Sequence, residues 1–283
     1  MKDKLFIWLI LALIVFIGVC LSINRLGEKS LWQDEITTVQ IASNSIPQIY
    51  RSLEGSHMAP PLHYIFLHLF LEIGSSEFVV RFPSVIFFVL SILGCFLVAK
   101  VIFDKKVALL AALFFALSPL QLQYAQEARM YSMCQFFILM SLYFFIKALK
   151  THKPKFWIAY IVMTGLSAYS HYFVLFYLFI QGLYLIEITR QQLVSLRGKT
   201  GKLKTALKPW LWFATGILCV FLLYLPRISS SLARSQGAGL EQSFSQILER
   251  SLRFFGGTQK NALPYIFLLF FVWGLVASWL SGK

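Results

Sequence analysis

Asp34 and Glu35 are adjacent acids in Ser30-Leu31-Trp32-Gln33-Asp34-Glu35, just after an apolar run from Leu5 to Ile23. Acids at such a border can complement the positive end of a helix and do nothing more. Alternatively, a carboxylate beside a nonpolar pocket can take a proton from an acceptor hydroxyl. A second polar group gathers Gln121, Gln123, Tyr124, Gln126, Glu127, Arg129 and Tyr131 between two further apolar runs. Arg129 is its only basic residue. An arginine at a membrane boundary suits a phosphate, although an internal pair with Glu127 or another acid explains it equally well. His57, His63, His68 and His171 complete the chemically capable residues of these segments. His63 and His68, five apart, diverge by about 140° on a helix and make no metal pair alone. A metal held by His57 or His171 with Glu35 is not specified by spacing, so the need for a divalent cation stays unknown.

The elements that must position these residues are apolar. The chain has 283 residues, 58% of them hydrophobic and only 13% charged. The apolar residues fall in blocks of roughly membrane-spanning length, which predicts an all-α polytopic membrane protein. Spans are expected at about 5–23, 79–100, 107–123, 131–149, 156–169, 172–188, 210–225 and 264–280, eight in all. The first run lacks a small-x-small cleavage site and reads as an uncleaved anchor.

Net charge is +14. With the N-terminus cytoplasmic, the inner segments hold 16 of the 26 basic residues and three of the 12 acids, Asp3, Asp104 and Glu187. That asymmetry is the positive-inside pattern. The basic excess then faces anionic membrane lipids, and a nucleic-acid partner is not expected. Cys20, Cys95, Cys134 and Cys219 lie within apolar runs without metal spacing.

The long outer segment 24–78 is expected to hold boundary helices. Ser30 with Gln33 forms a capping-box pattern, Pro47 suits a first turn, and Pro60-Pro61 opens an apolar helix from Leu62 to Ile73 that is too short to span. Glu77 and Arg81 are four apart and positioned to pair. From Phe156 to Ile186 the two expected spans offer roughly 46 Å of helix where two crossings need about 60 Å, so the Ser170-His171-Tyr172 tip is expected to be recessed. On these residues alone a membrane enzyme, a transporter and a binding module all stay open.

The ordered motifs narrow this. Leu31-Trp32-Gln33-Asp34-Glu35, His57-Met58-Ala59-Pro60-Pro61-Leu62-His63-Tyr64, Ser76-Glu77-Phe78-Val79-Val80-Arg81-Phe82-Pro83-Ser84, Tyr124-Ala125-Gln126-Glu127-Ala128-Arg129-Met130-Tyr131-Ser132 and Ser170-His171-Tyr172-Phe173 follow one another along the chain. Over roughly residues 1–190 this order resembles the polyprenyl-phosphate-sugar glycosyltransferases of the GT-C fold. Its nearest likeness is to the family 39-like group, which includes protein mannosyltransferases and the aminoarabinose transferase of lipid A.

The resemblance implies a GT-C-like membrane module over 1–225, followed by an outer loop and last span over 226–283. Members of that group carry more spans and a larger C-terminal part than this chain. It implies a sugar transferred from a polyprenyl-phosphate donor to a lipid, glycan or protein hydroxyl, on the outer face of the cell membrane. Asp34 would be the acid/base, with Glu35 completing the acidic pair. Arg129 would hold the donor phosphate, with Glu127 and His171 at the same site. His57, Tyr64, Tyr124 and Tyr131 are further expected substrate contacts. The competing expectation is a nonenzymatic transporter or binding subunit for lipid-linked sugars.

Overall fold

The structure, a computed structural model, describes residues 2–55, 60–195 and 203–235. They form helices α1 (Lys2–Ile23), α2 (Gln33–Ala42), α3 (Ile46–Gly55), α4 (Leu62–Leu71), α5 (Glu77–Ile102), α6 (Lys105–Leu117), α7 (Pro119–Ala125), α8 (Tyr131–Thr151), α9 (Pro154–Ser170), α10 (Val174–Ser195) and α11 (Leu203–Ser235). No strand occurs among the described residues. The protein is an all-α polytopic membrane protein.

Local chemistry sets the boundaries. Ser76 caps α5 by accepting from the Val79 amide at 3.4 Å, and Asp104 caps α6 by accepting from Lys106 and Val107 at 2.7 and 3.0 Å. The expected span at 107–123 is broken. Ser118 is held extended by the proline that follows, and α6 and α7 meet at a 60° bend. The bend swings the glutamine-rich α7 away from the axis of α6.

α1, α5 and α8 are long and apolar enough to cross a membrane, with the bent α6–α7 pair as a fourth candidate. Eight spans were expected. α9 has 17 residues, α11 offers an apolar stretch only at Leu207–Leu223, and α10 carries Glu187, Arg190, Gln191 and Gln192. The segment 264–280 lies outside the described residues. α10 also extends to Ser195, so the case for a recessed hairpin now rests on the short α9.

α5 is the central helix, packed on α1, α4, α6, α7 and α8. Ala108, Ala112 and Ala116 repeat every fourth residue along α6 and are fully buried in the cluster that α1 and α5 share. Small residues at that spacing let backbones approach closely where lipid provides no hydrophobic drive. A side chain at Gly18 of α1 would run into Ile92 and sit against Ala116. Elsewhere hydrogen bonds tie apolar helices together. Ser141 meets Thr164 at 2.7 Å between α8 and α9, and Tyr160 donates to Gln181 at 3.0 Å between α9 and α10. Leu5, Phe6, Leu9, Leu13 and Phe16 of α1 stay exposed, as a lipid-facing surface requires.

α2, α3 and α4 form the boundary helices. Ile49 and Leu53 pack on Tyr64, and His68 Nδ1 lies 2.8 Å from the Ala42 carbonyl oxygen, joining α4 to α2. By contact the chain divides into Met1–Ser230 and Ser231–Lys283.

Ala112→Leu forces extra volume between α1, α5 and α6. It should cost about 1–3 kcal/mol, read as a lowered unfolding midpoint of the detergent-solubilised protein. An unchanged midpoint would show that this packing is loose.

Candidate active site

Glu35 has no exposed surface, and its carboxylate is saturated. Oε1 accepts from Arg81 Nε at 2.9 Å and from the Ala128 amide at 2.7 Å. Oε2 accepts from Arg81 Nη2 at 2.8 Å and from the Trp32 amide at 3.2 Å. Arg81 is equally committed. Besides Glu35 it donates to the carbonyls of Leu26 and Lys29 through Nη1 and to that of Ser30 through Nη2. All five of its N–H groups are used. Glu77 is therefore not the partner expected from its spacing. Arg81 turns to an acid 46 positions away in sequence, whose two oxygens match the guanidinium edge.

This pair also moves the helix cap. The Ser30 carbonyl is drawn to Arg81, and α2 starts two residues later than the Ser30 pattern predicts, with Trp32 at the N-cap and Glu35 reaching back to its amide.

Asp34 and Arg129 are the chain neighbours of the two groups so joined, Glu35 and the Ala128 amide. The bond across them holds Asp34 against Arg129, with Asp34 Oδ2 3.7 Å from Arg129 Nη2. The Asp34 side chain is half exposed, the Arg129 side chain 14% exposed. Arg129 Nη1 donates to Thr38 Oγ1 at 3.0 Å and to the Asp34 carbonyl at 3.4 Å. Its Nε is buried with no hydrogen-bond partner among the described residues. On the edge that Arg81 devotes to Glu35, Arg129 thus has an Nε without an acceptor among the described residues and an Nη2 held only by the 3.7 Å ion pair with Asp34.

The turn carrying Arg129 is pinned from three sides. Ser84 donates to the Glu127 carbonyl at 2.6 Å, Gln126 donates to carbonyls at the end of α1 including Asn24 at 2.9 Å, and Glu35 takes the Ala128 amide. The Glu127 carboxylate accepts from Gln123 at 3.0 Å. Tyr124 and Tyr131 lie with ring centroids 4.8 Å apart, and the Arg129 guanidinium is 5.9 Å from the Tyr131 ring.

His171, 4% exposed, lies 6.0 Å from Tyr131 between ring centroids. Burial and the charge of Arg129 push its imidazole down to about 4, so it is neutral at physiological pH. Its Nδ1 accepts the Phe173 amide at 3.1 Å, which assigns the proton to Nε2. His63 behaves alike. It is buried in α4, pushed down to about 4 by burial and by Arg129, and its Nε2 has no hydrogen-bond partner among the described residues. Tyr64 belongs to the α3–α4 cluster instead, and His57 lies outside the described residues. Among the described residues no three His, Cys, Asp or Glu side chains come together as metal ligands.

Sequence reasoning missed Thr38 and the Arg81 partnership, and it noted His63 without placing it at this site. Thr38 lies four residues after Asp34 on one helix face, a spacing that points to it. Nothing local signals the Arg81 contact.

Helices of membrane-spanning length with this polar cluster at their connections define a multi-pass membrane protein with a candidate active site between its turns. Residues 58–226, more than half of the chain, match the family described as dolichyl-phosphate-mannose-protein mannosyltransferase. The chain belongs to this family and is a membrane glycosyltransferase that uses lipid-linked sugar donors. No curated protein matches it significantly. The matched region contains Arg81, Glu127, Arg129 and His171 but not the Asp34–Glu35 pair, whose placement rests on the geometry above.

The Glu35 pair carries a pH signature. Burial pushes the carboxyl up, but the Arg81 hydrogen bonds, the Ala128 amide and the Arg81 charge outweigh it and hold the group below its ordinary 4.5. A depressed native value adds stability above the ordinary value and loses it as pH falls through the lower one. Thermal stability of the detergent-solubilised protein should therefore decline below about pH 4.5. Glu35→Gln should cost about 3–5 kcal/mol near neutrality, by leaving Arg81 charged and unpaired, and should flatten that decline. An undiminished acid transition in Glu35→Gln would assign it to other groups.

Proposed function

We propose that the protein transfers a sugar from a polyprenyl-phosphate-linked donor to an acceptor hydroxyl, at the outer face of the cell membrane. Asp34 deprotonates the acceptor hydroxyl. The oxygen bonds to the anomeric carbon as the bond from that carbon to the phosphate oxygen breaks, and the polyprenyl phosphate leaves with the electron pair. Charge grows on the phosphate during the step, so a cation placed there favours the transition state over the ground state.

The observation that carries this reading is Arg129 beside Asp34, its Nε without an acceptor among the described residues and its Nη2 in only a 3.7 Å ion pair. The Nε/Nη2 edge is the one that grips a phosphate bidentately. Its position next to Asp34 supports a single displacement between acceptor and leaving group, which needs the base and the phosphate-binding cation side by side. His171 adds a neutral Nε2–H donor toward the same phosphate. Glu127, Tyr124 and Tyr131 shape the site's wall. Glu35, with every lone pair occupied, serves as a positioning residue that keeps Asp34 and Arg129 in register. The charge asymmetry of the connecting segments supports an N-terminus in the cytoplasm and a site on the opposite side.

The test is incubation of purified protein with a panel of polyprenyl-phosphate sugars and candidate acceptors, with products read by mass spectrometry. Asp34→Asn should reduce transfer by about 10²–10⁴-fold while donor binding persists. Arg129→Ala should weaken donor binding itself. Transfer at the wild-type rate in Asp34→Asn would remove Asp34 from the mechanism.

A further inference from the structure

The Glu35–Arg81 pair also forms one wall of a second, polar cavity of about 460 Å³. That volume falls in the range of small-ligand sites. The pair itself contributes no free charge to the cavity, because its donors and acceptors are all spent. What remains available is Trp32, 47% exposed, an amide–acid couple made by Gln123 and Glu127, and the cations Arg25 and Lys29. Arg25 is loosely paired with Glu28 at 3.5 Å on the open surface, and Lys29 has no acidic partner among the described residues.

Each group selects against most ligands. An apolar chain would leave the amide, the acid and two cations desolvated and unpaired. A metal cation would face Arg25 and Lys29 against the single free carboxylate of Glu127. A pyranose satisfies the set: its C–H face packs on an indole, and its hydroxyls both donate to a carboxylate and exchange hydrogen bonds with an amide. Lys29, without an acidic partner among the described residues, then favours a sugar that carries an acidic group.

The position is informative as well. Trp32 stands two residues before Asp34 and Glu127 two before Arg129, so the cavity abuts the proposed reaction centre across the Glu35–Arg81 wall. We infer that this cavity is a subsite for an acidic saccharide unit of a glycan acceptor, seated beside the unit whose hydroxyl reacts. The word acceptor rests on the proposed transfer reaction; the saccharide site does not.

The experiment is calorimetric titration of the full chain in lipid nanodiscs with tetragalacturonate, using uncharged cellotetraose as the comparison. Tetragalacturonate should bind about tenfold more tightly than cellotetraose, and less tightly as salt is raised. Trp32→Ala and Lys29→Ala should each weaken it by about tenfold, the size expected for one charge-assisted or aromatic contact. Lys29 is exposed, so its truncation leaves the fold intact. Absence of binding, or binding indifferent to both Trp32→Ala and Lys29→Ala, overturns the subsite. Binding that depends on Trp32 and Lys29 in a protein whose transfer ignores Asp34→Asn keeps the subsite and rejects the transfer reading. Transfer that needs Asp34 without saccharide binding does the reverse.

Discussion

The arrangement depends on one buried ion pair. Taking a carboxylate and a guanidinium out of water costs several kcal/mol per ion, and their attraction offsets this only if the remaining donors and acceptors are also filled. Glu35 and Arg81 meet that condition completely, and meeting it is what organises the chain. Arg81 extends from α5 and gathers the carbonyls of residues 26–30, which fixes how the chain leaves α1 and enters α2. Glu35 extends from α2 and takes the Ala128 amide, which fixes the turn between α7 and α8. Three stretches distant in sequence, 26–35, Arg81 and Ala128, are thereby held at one point. A half-satisfied version of the same pair would destabilise the fold, so the elements around it have little freedom to shift.

The two adjacent acids illustrate how environment divides identical chemistry. Glu35 is fully enclosed and hydrogen-bonded at every lone pair. Asp34, one residue along, is half exposed and lies 3.7 Å from its nearest cation. A group already saturated by four donors is a poor proton acceptor, because protonating it breaks bonds that hold the native state. A loosely paired carboxylate facing open space has no such penalty. Arg81 and Arg129 repeat the contrast on the cationic side. The first has all five donors spent, and the second has an Nε without an acceptor among the described residues.

Much of this was legible in the sequence, for identifiable reasons. The apolar runs announced α1, α5 and α8, and Pro60-Pro61 followed by an apolar stretch ended at Gly74 announced α4, because those signals are local. The break at Ser118-Pro119 was written in the proline rule, yet the hydropathy of 107–123 obscured it. The Glu35–Arg81 contact was hidden for a stronger reason. Helical spacing offered Arg81 a local partner in Glu77, and only the folded topology brings Glu35 within reach. The cap at Trp32 was misjudged with it, since Ser30 is withdrawn by Arg81. His63 looked like an interfacial histidine because burial beside Arg129 is a tertiary fact.

Two neutral imidazoles beside one guanidinium have an electrostatic consequence. Burial and the neighbouring positive charge both disfavour the imidazolium forms, so His63 and His171 add no positive charge beside Arg129. An anion arriving there meets the Arg129 guanidinium and two neutral imidazoles rather than a cluster of positive charge that would hold a product phosphate too long. On the proposed reaction this links the two substrates. Asp34 is the counterion of Arg129 at Nη2. A donor phosphate that takes the Nε/Nη2 edge replaces Asp34 there, and the released carboxylate becomes free to accept the proton of an incoming hydroxyl. Donor binding would then switch on the base, and an acceptor entering first would meet a carboxylate still engaged by Arg129.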